Sequence, residues 1–111
     1  MKLLKSEEDL LEFDNGLVVK GVGDEDCCAS NYLDFEQFEV GQEFPDMTAK
    51  QFAKKITLKE DGFALTSKDG MPKWCQARSV QNGYYSDVTT VYLEYKGEEI
   101  KLGDLRGEQR D

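Results

Sequence analysis

Asp24-Glu25-Asp26-Cys27-Cys28 gathers two thiols and three carboxylates into five consecutive residues, and Cys75 adds the one other thiol of the chain. Zinc takes four ligands, usually thiolates and imidazoles and sometimes a carboxylate. With no histidine in the sequence, Cys27, Cys28 and Cys75 with Asp24 are the thiolate-rich set available. Asp24 and Cys27 have the two-residue spacing of a metal knuckle, and Gly23 gives the turn its freedom. Asp26 competes for the fourth position, because it shares a face with Cys28 in an extended chain. The expected ion is structural Zn2+, stapling the N-terminal hairpin to a distant strand and adding folding energy to a small domain. The competing reading makes Cys27 and Cys75 small core residues and Cys28 incidental. Neighbours in a strand face opposite ways, so both thiols reach one ion only where the strand breaks or bulges. The strict geometry of a disulfide argues against a bond between adjacent cysteines.

The second feature is charge. Residues 1–47 carry thirteen Asp and Glu against three Lys, while residues 48–111 carry ten acids against eleven bases, within a net charge of −9. Such a field repels nucleic acid and anionic membranes and steers toward basic protein surfaces. Glu7, Glu8, Asp9, Asp34, Glu36 and Glu39 are the expected partner-binding residues, with Glu12, Asp14, Glu25 and Glu43 in the same acidic lobe. The plainer reading is a solvated face that keeps a small protein soluble.

Catalytic readings fare poorly. The absence of histidine removes the usual general base, and there is no phosphate-cradling glycine loop or HExxH. A metal-dependent hydrolase would need an open coordination position, and a chain of 111 residues rich in turns leaves little room for a deep cleft. The expectation is a binding protein, not an enzyme.

The elements that must position these groups read as one α+β domain over residues 1–111, a twisted antiparallel sheet of hairpins with one main helix. Asp14-Asn15-Gly16 between Leu10–Phe13 and Leu17–Val22 predicts a hairpin with a type I′ turn. A short helix over 7–12, capped by Ser6 with Asp9, is the alternative. Tyr32, Phe35 and Phe38 suit one side of a short helix or loop residues pinned on the core. Residues 47–56 read as the helix, with Asp46 near its N-cap and Lys54 and Lys55 at its C-terminal end. Period-two segments follow, turning at Glu60-Asp61-Gly62, Lys68-Asp69-Gly70, Gln81-Asn82-Gly83 and Lys96-Gly97. The tail from Gly103 is polar and expected to fray. No apolar run approaches the length of a membrane span, and the N-terminus lacks the apolar core of a signal peptide. A cytoplasmic monomer is the expectation.

The segment Asp26-Cys27-Cys28-Ala29-Ser30-Asn31-Tyr32 followed by Asn82-Gly83-Tyr84-Tyr85 is similar to a family of small phage and prophage proteins. Those proteins show a Cys-Cys pair followed by an aromatic residue, then a histidine-rich Asn-Gly-Tyr-Tyr segment. Arg78 and Gln81 stand here where relatives carry histidine, which makes Cys75 the natural substitute ligand. The small, acidic, cysteine-bearing chain also resembles zinc-containing type II anti-CRISPR proteins. That resemblance implies direct binding to Cas9 and obstruction of target-DNA loading, without direct nucleic-acid binding. A small accessory phage protein, with its metal or buried thiols serving stability alone, is the alternative.

Overall fold

A computed structural model describes residues 1–23, 30–80 and 87–110, with the side chains of Gln109 and Arg110 set aside. The architecture is α+β: two five-stranded sheets, mostly antiparallel, and one short helix. The first sheet has the order β1 (Leu3–Glu7), β2 (Leu10–Phe13), β3 (Val18–Gly23), β8 (Val88–Tyr95), β9 (Glu98–Arg106). The second is built on β7 (Pro72–Val80). On one side β7 pairs with β4 (Ser30–Asp34). On the other it pairs first with β6 (Gly62–Thr66) and then, in parallel, with β10 (Glu108–Arg110). The two-residue β5 (Thr57–Leu58) finishes that sheet beyond β6.

Period two decides which face is buried. Leu11 and Phe13, Val91 and Leu93 point inward from the first sheet, and Leu33, Phe63, Leu65, Cys75 and Ala77 from the second. A chain of phenylalanine rings joins them. Phe13 lies 5.5 Å from Phe44 and 6.2 Å from Phe52 of the helix, while Phe35 lies 6.1 Å from Phe63. Burying each ring stabilises by about 1.5–3 kcal/mol. Toward the end of the sheets marked by Gly23, Ser30, Val80 and Val88 the inner positions turn polar, with Asn31, Ser79 and Thr89 all buried.

Several expectations are corrected. The helix, α1, spans Ala49–Lys55, and its N-cap is Thr48, which shares a capping box with Gln51. Asp46 instead accepts a hydrogen bond at 2.6 Å from the N-terminal ammonium of Met1, whose positive charge holds the carboxyl below its usual range. Residues 7–12 form no helix, because β1 and β2 pair directly around Glu8 and Asp9. Tyr32 lies in β4 and not in a helix, while Phe35 and Phe38 follow it as loop residues pinned on the core, as the second reading has it.

The Asn15-Gly16 hairpin exists, yet only Gly16 has positive φ there. Gly16 N–H donates to Phe13 O and Phe13 N–H to Leu17 O, the pattern of a type I turn followed by a left-handed glycine. The type I′ geometry appears at Lys96-Gly97, where both residues have positive φ. The tail does not fray at Gly103: β9 runs on to Arg106, Leu105 is fully buried, and β10 joins the second sheet. Sequence polarity misleads there because only one residue in two of this segment must be apolar. No helix of the described residues is long and apolar enough to cross a membrane.

Candidate functional site

The tight connection between β1 and β2 places Glu7 and Glu8 at one end of the first sheet. Asp9 completes that turn with φ of 65°, a left-handed conformation that Asp tolerates better than most residues. Its carbonyl accepts from Gly21 N–H at 3.0 Å, and its carboxylate accepts from Leu33 N–H at 2.7 Å. The second bond crosses from the first sheet to the edge of the second. Gly21 permits the approach: a Cβ there would lie 2.6 Å from Leu33 Cδ1 and 3.0 Å from the Asp9 carboxylate.

This junction forms one wall of an open groove of about 250 Å3, lined by Ser6, Glu7, Glu8, Tyr32, Leu33, Asp34, Phe35 and Glu36. Four of the expected partner-binding carboxylates, Glu7, Glu8, Asp34 and Glu36, therefore meet at one place. They do not play equal parts. Asp34 is only 20% exposed, lies 3.4 Å from the Arg78 guanidinium and accepts from Glu36 N–H at 3.0 Å. Glu7, Glu8 and Glu36 are exposed. Asp9 lines no part of the groove and serves as its buttress. Glu39 is exposed beyond Phe38, outside the groove lining.

The acidic lobe is not one pole. Asp14 accepts from Lys2 N–H at the far end of β2, and Asp46 pairs with the ammonium of Met1. Glu43 lines a second, mixed-charge groove with Lys2 and Lys68. Glu12 faces Lys5 at 3.8 Å. Lys55 belongs to that far end too, since it lines a pocket with Pro45 and Met47, and Asn15 Nδ2 donates to Met47 O. The length of β2 separates the acidic groove from this mixed region.

Of the expected zinc ligands, Asp24, Cys27 and Cys28 lie outside the described residues, as do Asp26 and the Asn82-Gly83-Tyr84-Tyr85 segment. Cys75 is fully buried on the inner face of β7, opposite Phe63. Burial, then the nearby carboxylates of Asp34 and Asp9, pushes its thiol well above the ordinary value. The ladder also places Ser30, which follows the Cys-Cys segment, against Val80, five residues along β7 from Cys75. Among the described residues no group of three or more metal-ligating side chains is assembled.

Tyr32, Trp74 and Arg78 share the outer face of the second sheet, a grouping that charge and motif reasoning did not reveal. Period two within β4 and β7 is the signal that groups them. Comparison with protein families, with curated proteins and with solved structures returns no match for this chain.

Two outcomes test this geometry. Asp9→Ala should destabilise the fold by about 1–3 kcal/mol in chemical denaturation, since it strands the Leu33 N–H. Asp9→Asn, which keeps an acceptor and tolerates positive φ, should lose far less. Cys75 should resist alkylation at about pH 9, above the usual thiol pKa of ~8.5, and react only in denaturant, as read by peptide mass. Chelator should leave that protection intact if core packing alone shields the thiol, whereas a zinc-bound thiolate would become reactive.

Proposed function

We propose that this protein is a non-enzymatic binding module that meets a basic protein surface through the groove bounded by Glu7, Glu8, Asp34 and Glu36. The partner class we infer is a nucleic-acid-handling defence nuclease of the Cas9 type, with the protein acting as a phage-encoded inhibitor in the host cytoplasm. The convergence of those four carboxylates on one concave surface carries the reading. Exposed carboxylates rimming a groove attract cationic side chains and raise association rates. Cas9 holds nucleic acid in positively charged channels, which such a surface would suit. Binding there would hinder target-DNA loading by occupying cationic surface.

The structural zinc belongs to the same proposal. Cys27, Cys28, Cys75 and Asp24 would hold it, with Asp26 the competitor for the fourth position. Of these, Cys75 lies among the described residues, buried on the inner face of β7, where a core role is the competing reading.

Purified protein should capture purified Cas9 at low salt and release it progressively as salt rises. Glu7→Lys combined with Glu8→Lys should slow association by about tenfold while leaving the melting temperature unchanged. Undetectable association at low salt would falsify the proposed partner. Metal analysis of protein purified without added zinc should find one equivalent per chain, lost in Cys28→Ser together with a lower melting temperature. A metal-free protein of equal stability removes the zinc from the proposal.

A further inference from the structure

The outer face of the second sheet carries an aromatic surface beside the acidic groove. On β7, Trp74, Gln76 and Arg78 point outward by period two, and the register sets Arg78 opposite Tyr32 and Gln76 opposite Asp34 of β4. Gln76 also lies opposite Gly62 of β6. A Cβ on Gly62 would run into the six-membered ring of Trp74, so the indole occupies the space that a side chain would take. Trp74 Nε1–H donates to Gln76 Oε1 at 2.9 Å, and Gln76 Nε2–H donates in turn to Asp61 O at 2.9 Å. These contacts fix the ring over the sheet with its indole N–H already satisfied. What the half-buried indole has left to offer a ligand is π surface.

No described element covers this face: Tyr32, Asp34, Trp74, Gln76 and Arg78 all keep partial exposure. Tyr, Trp and Arg are the residue types that dominate binding energy in protein interfaces. Tyr32 and Asp34 also line the acidic groove, so face and groove form one continuous surface. Its charge is acidic, because the one guanidinium is already paired: Arg78 lies 3.4 Å from Asp34 and 2.9 Å from Glu108. An aromatic face that also holds Asp34, opposite Gln76, and the Asp61 carboxylate, 3.3 Å from Gln76 Nε2, is complementary to a planar cation. Guanidinium stacks on aromatic rings and pairs with carboxylates at once, whereas ammonium is compact and strongly hydrated.

We infer that Trp74 and Tyr32 form the energetic centre of the docking surface, receiving arginine side chains of a basic protein segment while the groove carboxylates steer it in. This inference rests on the acidic-groove reading and adds to it a location and a preference for arginine over lysine.

Trp74 is the one tryptophan of the chain, so its emission reports on this face directly. Fluorophore-labelled hexa-arginine is titrated into the intact protein at low salt, following both peptide anisotropy and Trp74 emission. Hexa-lysine of the same design is run in parallel. The expected result is saturable binding with a matching change in Trp74 emission, affinity for hexa-arginine several-fold above hexa-lysine, and about tenfold loss in Trp74→Ala. Trp74→Phe, which retains an aromatic face, should lose less, with melting temperature checking the fold of both variants. Binding seen by anisotropy with silent Trp74 emission and no arginine preference overturns the inference and leaves the groove reading standing. Absence of binding to either peptide overturns both.

Discussion

One carboxylate bridges the two sheets at the β1–β2 turn. Asp9, held at positive φ in the β1–β2 turn, accepts the Leu33 amide of β4 at 2.7 Å. An edge strand presents unpaired amides that invite foreign strands, and the β4 edge receives an internal partner at this point. The same contact fixes the distance between Glu7 and Glu8 on one sheet and Asp34 and Glu36 on the other. The groove is therefore a consequence of how the sheets are joined. Gly21 belongs to this constraint, since any larger residue would push Leu33 away from Asp9.

The way the fold distributes its acids explains how a chain of net charge −9 can present a localised surface. Some carboxylates are engaged within the molecule: Asp9 by an amide, Asp34 by Arg78, and Asp46, itself exposed, by the N-terminal ammonium. Others are offset by neighbouring lysines at the far end of β2. Glu7, Glu8 and Glu36 remain exposed at the groove. Exposed pairs contribute little to stability, roughly 0–1 kcal/mol each, so these residues can serve recognition without endangering the fold. Stability comes from the ring chain of Phe13, Phe44, Phe52, Phe38, Phe35 and Phe63 between the layers. The exposed carboxylates of the groove and the rings that stabilise the fold are thus different residues.

Much of the fold was legible in the chain because its signals are local. Turn chemistry at Asn15-Gly16, Gly62, Gly70 and Lys96-Gly97 marked hairpins that exist, and alternation marked the strands between them. The helix was legible to within two residues at its start and one at its end. Less legible were β1, whose polar outer residues hide its inward Leu3, and β4, whose aromatic spacing imitates a helix. The end of the chain misled for the same reason, since Leu105 is the one fully buried side chain of β9. In each case the apolar count is low, and burial on one side supplies the energy that local pattern does not announce.

By itself the sequence determined the residue types available for chemistry: no histidine, three thiols, and carboxylates concentrated in residues 1–47. It also determined the α+β class, because periodicity and turn residues act over a few positions. Only the tertiary structure decided which acids stand together. Asp34 and Glu36 reach Glu7 and Glu8 through a sheet-to-sheet contact spanning 24 residues of chain, and Cys75 is withdrawn into the core by the inward parity of β7. Trp74 and Tyr32 share a face through the pairing of β4 with β7. Such proximities depend on long-range register and on which side of each strand is buried, and those are set by packing between layers that no short stretch of sequence contains.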